Sequence, residues 1–236
     1  MTASLRNRLN VVLPTDSLRA RFATGAFWSL VGVGAAQGAS LAAFLVTARI
    51  LGKATFGELG MIQSTTGMFG VFAGLGLGIT VTKHVAQFHR GDPSRAGRVI
   101  GLSIVVASMS AVVVVATLQV LSSYLAGRVI NAPHLTMELR LACGLLFFNT
   151  LIGVQNGALA GLEAFKAIAR ANVYRGLVVF PLMVIGAHCS GLAGALVGLV
   201  AATGIGWAIN YVLLSRAATQ AGIRGFYRHI GRELPV

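Results

Sequence analysis

The sequence predicts an all-α fold: a polytopic membrane protein built as a bundle of six transmembrane helices. Two observations predict it. Hydrophobic residues make up 56% of the 236 residues and charged residues only 11%, with a mean hydropathy of +0.78, whereas soluble domains carry about 25% charged residues. In addition, the apolar residues form six runs, most of them near the roughly 20 residues that a membrane-spanning helix needs. A soluble fold of this composition would have too few polar side chains to cover its surface.

The six predicted spans are joined by short links. They cover residues 23–46, 57–81, 100–121, 139–162, 173–187 and 192–214. Gly-Asp-Pro at 91–93 and Asn-Ala-Pro at 131–133 are turn signals within two of the links. Residues 189–191 form a very short link, which predicts that the fifth and sixth helices are antiparallel neighbours. The chain then divides into a cytoplasmic N-terminal segment, a transmembrane lobe and a basic cytoplasmic tail, at 1–22, 23–215 and 216–236.

The distribution of basic residues predicts the orientation of the bundle. Fifteen of the 19 Lys and Arg residues fall in the N-terminal segment, the second and fourth links and the C-terminal tail. Cytoplasmic loops carry the excess of basic residues in membrane proteins, so both termini are predicted to be cytoplasmic. The first apolar run is too long for a typical signal peptide and begins after residue 20, which indicates an uncleaved helix. The opposite side carries only Arg49, Lys53, Arg128 and Arg140.

Composition and motifs also exclude several classes of function. The net charge of +13 comes from clusters between apolar runs, a pattern that favours membrane headgroups over nucleic acid. The sequence contains no GxxxxGK[ST], HExxH or GxSxG motif and no paired aspartates. Cys143 and Cys189 lack metal-binding spacing and are either two buried free thiols or a disulfide. We therefore expect neither an enzyme nor a cofactor nor a metal site.

Glycine spacing predicts close helix packing. Glycines four residues apart line one face of a helix and let a second backbone approach closely. Such sets recur in the first, second, fourth and sixth spans; Pro181 lies inside the fifth span and predicts either a hinge or a static kink. The candidate packing residues are Gly34, Gly38, Gly70, Gly74, Gly78, Gly153, Gly157 and Gly161, with Gly194 and Gly198 in the sixth span.

Uncharged polar residues inside the spans are candidates for a binding site. Such groups are costly against lipid, so they should face other helices or a wet cavity. One interpretation is interhelical hydrogen bonding, and the other is the lining of a polar groove for a sugar-bearing substrate. The candidates are Gln37, Gln63, Asn149, Gln155 and Asn156.

Three cations near the ends of spans are further candidates for substrate binding. Arg49, at the outer end of the first helix, could meet a phosphate or acidic sugar, or could reach the headgroups. Lys83, at the cytoplasmic end of the second, could contact an entering lipid-linked substrate or anchor the interface. Arg175 lies within the first turn of the fifth span, deeper than the loop charges, so it could face a cavity.

Two stretches resemble a known family. Residues 47–64 read TARILGKATFGELGMIQS, which resembles the signature after the first helix of the polysaccharide biosynthesis (O-antigen flippase-like) family. Residues 157–176 read GALAGLEAFKAIARANVYRG, which is similar to that family's link between its fourth and fifth helices. The resemblance extends over about residues 22–216. The residues that carry it are Arg49, Leu51, Gly52, Phe56 and Gly57, then Gly161, Phe165, Asn172 and Arg175.

The resemblance implies a place in the multidrug/oligosaccharidyl-lipid/polysaccharide exporter superfamily, whose members have two six-helix lobes around a central cavity. Its polysaccharide branch moves undecaprenyl-pyrophosphate-linked oligosaccharides outward across the bacterial cytoplasmic (inner) membrane. We therefore expect this chain to act as the N-terminal lobe of a flippase in O-antigen (lipopolysaccharide) biosynthesis. Its expected partners are the lipid bilayer, the lipid-linked oligosaccharide and a second six-helix half or a second copy.

The length departs from the family pattern. Family members usually have about twelve or more helices, whereas this sequence supplies one lobe. A truncated reading frame, a split gene with a separate partner and a half that dimerises are all compatible with that length. The alternative function is a non-transporting membrane interaction protein or an inactive fragment.

Overall fold

The protein, seen in a computed structural model, is helical throughout the part that the structure describes, residues 18–223. Side chains are described from Ser40 onward, together with Gly34, Gln37 and Gly38. This confirms the all-α prediction. The predicted N-terminal segment 1–22 and tail 216–236 fall largely outside the described residues. The five α-helices are α1 (Leu18–Gly74), α2 (Leu77–Phe88), α3 (Pro93–Tyr124), α4 (Thr136–Gly161) and α5 (Phe165–Gln220).

Several helices are long and apolar enough to cross a membrane. Among the described residues these are Pro93–Val129, Pro133–Gly161 and Phe165–Gln220, with a fourth if the bent pair Ser40–Gly74 and Leu77–Phe88 is one span. The chain is therefore a multi-pass membrane protein. By length and composition alone these are three or four spans, so the count of six stays a prediction.

Helix α5 is folded back on itself as a hairpin. Its 56 residues would measure about 84 Å if straight, far more than the roughly 30 Å of a hydrocarbon core. Ser190 and Gly191 have non-helical backbone angles, and the backbones of Gly186 and Gly194 touch across this break. The predicted short link at 189–191 is thus confirmed. Pro181 lies within the first half of the hairpin.

Helix α1 also contains a break, at Gly52. With φ 76° and ψ 170°, Gly52 has a conformation that is essentially restricted to glycine. The rings of Phe44 and Phe56 meet edge to face across this break, with centroids 6.3 Å apart. The link expected between the first two spans is therefore a single non-helical residue, and helix continues on both sides of it.

The second predicted span is interrupted rather than continuous. Leu75 and Gly76 have positive φ angles of 45° and 66°, and the axes of the two flanking helices differ by 41°. The predicted span over 57–81 therefore contains a bend, which the alternating glycines at 74, 76 and 78 permit, and whether it is one crossing stays a prediction. Ser110 Oγ on α3 donates to the carbonyl of Ala73 at 2.9 Å, so a side chain satisfies a carbonyl beside the break.

The links meet in pairs at the two ends of the bundle. At one end, Arg90 in the α2–α3 turn contacts Glu163 in the α4–α5 link at 2.9 Å. At the other end, His134, before α4, contacts Glu58, early in the second half of α1, at 2.9 Å. The turn at 91–93 is as predicted: Asp92 Oδ1 accepts from the backbone N–H of Arg95 at 3.0 Å and caps α3. Consecutive links thus alternate between the two ends.

A seam of glycines holds α2 against α4. A Cβ added to Gly157 would lie 2.9 Å from the Cα of Gly78, and one added to Gly161 would lie 2.9 Å from the carbonyl oxygen of Thr82. The hydroxyl of Thr82 donates to the carbonyl of Gly157 at 2.9 Å. Four other packing candidates meet nothing within 4 Å of an added Cβ among the described residues, so their packing role stays a prediction; they are Gly34, Gly38, Gly70 and Gly74. Gly153 has open space beside its own Cα, but its carbonyl oxygen lies 3.1 Å from a Cβ added to Gly78.

The two cysteines differ in their surroundings. Cys143 is buried and Cys189 is exposed at the tip of the α5 hairpin, and both are free thiols. The disulfide alternative is therefore wrong, and so is the expectation that Cys189 is buried.

The glycine seam predicts opposite effects for two substitutions one helical turn apart on α4. We expect Gly157→Ala to lower the free energy of unfolding by roughly 1–3 kcal/mol, because its methyl group overlaps the backbone of Gly78. Gly153→Ala should leave stability unchanged or slightly raised, because its methyl group meets open space and alanine favours helix. Unfolding in mixed detergent micelles by added dodecyl sulfate measures both, and equal effects would contradict the seam.

Candidate functional site

A cavity of about 760 Å³ opens between α1, α2, α4 and α5. Glycines line much of it, which leaves room because they carry no side chain. Apolar side chains such as Phe44 and Leu146 complete the surface. The polar side chains that line it are Gln37, Ser40, Gln63, Thr66, Asn149, Thr150, Asn172, Arg175 and Thr203.

Arg175 is the one ionisable residue among the described residues that line this cavity. Its Nη2 donates to Asn149 Oδ1 at 2.9 Å. Its aliphatic stem passes Gly206 in the second half of the α5 hairpin, where an added Cβ would lie 3.5 Å from Arg175 Cγ. Because the partner is a neutral amide, the positive charge of the guanidinium is oriented but not neutralised.

The threonine hydroxyls of the cavity already donate hydrogen bonds to backbone carbonyls within their own helices. Thr66, Thr150 and Thr203 donate to the carbonyls of Ile62, Leu146 and Leu199 at 2.9, 2.8 and 2.7 Å. Their oxygen lone pairs remain available as acceptors. The Nε2 of Gln63 is buried and has no hydrogen-bond partner among the described residues. The cavity thus offers one fixed cation, several neutral acceptors and a carboxamide with unused hydrogen-bonding capacity.

The helix break between α1 and α2 lies at the edge of the same cavity. Gly74, Gly76 and Gly78 all line it. Irregular backbone at membrane depth is tolerated where it is buried in protein or lines a wet cavity. The interruption of the second span is therefore a feature of the site as well as of the fold.

The structure brings four of the eight predicted binding residues together. Gln37, Gln63, Asn149 and Arg175 line one cavity although they come from three different helices. Arg49 and Lys83 are exposed and do not line it.

The remaining two predicted binding residues lie outside the cavity. Gln155 is 2% exposed and lies within the bundle. Asn156 Oδ1 accepts from Asn210 Nδ2 at 3.0 Å, which joins α4 to α5. For Asn156 the interpretation as an interhelical hydrogen bond is therefore the one that the structure shows.

Five polar residues that line the cavity were not among the eight candidates for binding: Ser40, Thr66, Thr150, Asn172 and Thr203. Serine and threonine are common in membrane helices because their hydroxyls can bond a carbonyl of the preceding turn, as Thr66, Thr150 and Thr203 do, so their presence alone does not mark a site. A weak signal exists in the spacing of Thr203 and Gly206, two small residues three apart on α5; Thr203 lines the cavity and Gly206 lies beside the stem of Arg175.

A comparison with protein families identifies the chain. The family described as polysaccharide biosynthesis protein matches residues 22–229. The chain belongs to this family. The match includes both stretches at 47–64 and 157–176 and all residues that line the cavity. No curated protein and no solved structure matches significantly. Between residues 34 and 223, no group of three or more His, Cys, Asp or Glu residues could hold a metal ion in this polysaccharide biosynthesis protein.

Two adjacent positions on α1 test whether the cavity contains water. Val71 lines the cavity and is 75% exposed, whereas Phe72 is 61% exposed and does not line it. In a variant without Cys143 and Cys189, we expect a cysteine at Val71 to react about tenfold or more faster with a water-soluble maleimide than one at Phe72. The thiolate is the reactive form, and it does not form against lipid. Equal rates would contradict a wet cavity.

Proposed function

We propose that this chain moves a lipid-linked oligosaccharide across the bacterial cytoplasmic membrane, as one lobe of a flippase for surface polysaccharide biosynthesis. Membership of the polysaccharide biosynthesis family sets the biological context. The observation that carries the proposal is the single cation of the cavity, Arg175, whose described partner is the neutral Asn149. The substrate would be an oligosaccharide on an undecaprenyl-pyrophosphate type of carrier.

The charge of Arg175 favours an anionic ligand. A cation inside a membrane span is costly and is usually paired. No acidic residue lines the cavity among the described residues, so a bound anion would supply the missing counter-charge. The planar guanidinium matches two phosphate oxygens at once, and hydrogen bonds between charged groups are the strong ones. A pyrophosphate that joins a lipid to a glycan is an anion of this kind.

The neutral polar residues suit the glycan part of such a substrate. Sugar hydroxyls both donate and accept hydrogen bonds. Gln37, Gln63 and Asn172 can do the same through their carboxamides, and Thr203 can accept. The glycines around them leave space for a bulky headgroup. An apolar lining at Val71, facing the same cavity, suits the start of the carrier lipid.

Six membrane crossings best account for the breaks within the long helices. Gly52 would divide α1 into a first crossing and the start of a second that continues through α2. Ser190 and Gly191 would divide α5 into a fifth and a sixth. With α3 and α4 between them, this arrangement puts the Arg90–Glu163 contact at the cytoplasmic end and the His134–Glu58 contact at the outer end. Both termini would then be cytoplasmic, with the lobe at 23–215 between segments 1–22 and 216–236.

Gln37 supports the proposal of a second lobe or a second copy. Its amide is exposed at the cavity although it lies within an apolar helix. Polar side chains against lipid are unfavourable. A second lobe, from another chain or from a second copy, would cover this side and enclose the substrate, and transport would follow from rocking of the two lobes.

Complementation tests the proposed function. The chain would be expressed in a bacterium that lacks its O-antigen flippase, with and without a candidate second half, and surface polysaccharide would be measured. Restored polysaccharide supports the proposal, and the need for the second half separates a lobe from a functional dimer. Inserted protein that neither restores polysaccharide nor binds undecaprenyl pyrophosphate would refute it.

Arg175 gives the sharpest prediction for binding. We expect Arg175→Gln to weaken binding of undecaprenyl pyrophosphate to the purified protein by about tenfold or more, because a charge-assisted contact is lost. Asn149→Asp should weaken it comparably, since a carboxylate would neutralise the guanidinium that the ligand needs. Arg128→Gln removes an exposed cation at the opposite end and should leave affinity unchanged. Unchanged affinity for Arg175→Gln would remove the basis of the proposal.

Cys189 tests the proposed orientation without any substitution at that residue. In intact cells whose outer membrane is permeabilised, a membrane-impermeant maleimide should label Cys189, which is exposed at the hairpin tip, and not Cys143, which is buried. A Cys189→Ser variant is the control for residual labelling. Labelling of Cys189 only after the inner membrane is broken would reverse the proposed orientation.

A further inference from the structure

Four exposed cations at one end of the bundle share one arrangement. They are Lys83, Arg98, Arg170 and Arg216, here called the rim cations. Each stands four residues, and so one helical turn, from an exposed large apolar or aromatic side chain on the same helix face. Those neighbours are Ile79, Leu102, Tyr174 and Val212, which are 80%, 55%, 49% and 45% exposed.

The order of each pair follows the direction of its helix. Helix α2 and the second half of α5 run toward this end, and there the cation follows its apolar neighbour. Helix α3 and the first half of α5 run away from it, and there the cation comes first. In all four cases the cation is therefore nearer to the end of the bundle. This regularity is a property of the folded bundle and not of a sequence motif, because the cation precedes its apolar neighbour in two segments and follows it in the other two.

The rim cations surround a single packed end. Val85 on α2, Ile100 on α3 and Leu214 on α5 belong to one buried cluster, against which Ile168 also packs. The four helical segments that carry the rim cations therefore meet here. Ile79 also lies at the edge of the cavity, whereas Leu102, Tyr174 and Val212 do not line it, so these three faces point outward from the cluster, where a membrane protein contacts lipid.

The length of α3 indicates the depth in the bilayer at which the rim cations lie. Arg98 lies near its beginning, and Arg128 lies beyond its end, one turn past Tyr124, which is 64% exposed. The 30 residues between these arginines correspond to about 45 Å at 1.5 Å per residue. A bilayer with its headgroup regions is about 40–45 Å thick. Arg98 thus lies at headgroup level, while its neighbour Leu102 faces the acyl chains, the geometry in which long basic side chains reach the interface.

The charges at this end of the bundle indicate which kind of partner the rim cations contact. The acidic residues described at this end, Asp92 and Glu163, are paired with Arg95 and Arg90. Within residues 34–223 none of the rim cations has an acidic side chain within salt-bridge distance. We propose that the rim cations bind the headgroups of anionic phospholipids in this leaflet. An apolar neighbour beside each cation favours a lipid, which presents charge and acyl chain together, over a soluble acidic protein.

The proposal is tested by lipid selectivity of the whole chain in membranes, which does not depend on transport. Spin-labelled phosphatidylglycerol and phosphatidylcholine would be compared for their association with the protein in phosphatidylcholine vesicles. The wild type should prefer phosphatidylglycerol about fivefold at low salt, since one basic residue near a surface contributes about that factor. High salt should reduce the preference through screening.

Variants then assign the preference to the rim. Replacing Lys83, Arg98, Arg170 and Arg216 together by Gln should bring the ratio close to one, whereas exchanging Lys and Arg at these positions should keep it. The control is Arg95→Gln with Lys166→Gln, compared with the pairs K83Q/R98Q and R170Q/R216Q so that each variant removes two cations. Both control residues are exposed at the same end and lack an exposed large apolar neighbour one turn inward, and Arg95 also contacts Asp92. A quadruple variant that keeps the preference, a control that loses as much, or a wild type without preference would each overturn the proposal. Should the quadruple variant fail to insert, the pairs K83Q/R98Q and R170Q/R216Q replace it in the same comparison.

Discussion

The structure depends on one constraint: a backbone that crosses lipid must satisfy its hydrogen bonds within itself or with nearby protein. Helices meet this requirement, so the long apolar runs are helical. Departures from helix are therefore short and supported. Gly52 and Gly191 turn the chain within one or two residues, and the carbonyl of Ala73 beside the break at Leu75 accepts from Ser110.

Close packing of the helices depends on glycine, which has no side chain to separate two backbones. Where α2 meets α4, Gly78 and Gly157 bring the two backbones into contact. The halves of the α5 hairpin touch at Gly186 and Gly194 in the same way. Glycines at other positions have a different effect, because Gly70, Gly74 and Gly153 line the cavity and leave open space beside the polar side chains. One residue type thus both closes the bundle and keeps the cavity open.

Much of the fold could be predicted from hydropathy, and the break in the second span could not. Residues 57–81 are predominantly apolar, and a hydropathy run does not distinguish a continuous helix from one that bends at Leu75 and Gly76. The glycines at 74, 76 and 78 are visible in the sequence, but the four-residue spacing of Gly74 and Gly78 is as compatible with a packing face on a continuous helix as with a break. The positive φ of Leu75 is set by tertiary contacts that a sequence pattern does not contain.

Half of the predicted binding residues line the cavity, four of eight. Asn149 and Asn156 are the same residue type seven residues apart on α4, yet the first orients Arg175 in the cavity and the second bonds Asn210. Seven residues are nearly two helical turns, so both side chains lie on one face of α4, and how far the cavity extends along that face depends on how the neighbouring helices pack. The depth of Arg175 in its span was the better guide, because a cation at such a position needs a specific environment.

The neutral partner of Arg175 has an electrical consequence. A fixed charge within a bilayer lies in the field of the membrane voltage. If the bound anion carries two negative charges, the loaded site keeps one net negative charge, which an inside-negative voltage would push outward by about 2.3 kcal/mol per 100 mV over the full thickness. Had Asn149 been an aspartate, the protein would contribute no net positive charge there, and more of the substrate's charge would have to cross the field unbalanced. If the chain exports such a substrate, as proposed above, the amide of Asn149 would set how strongly export responds to membrane voltage.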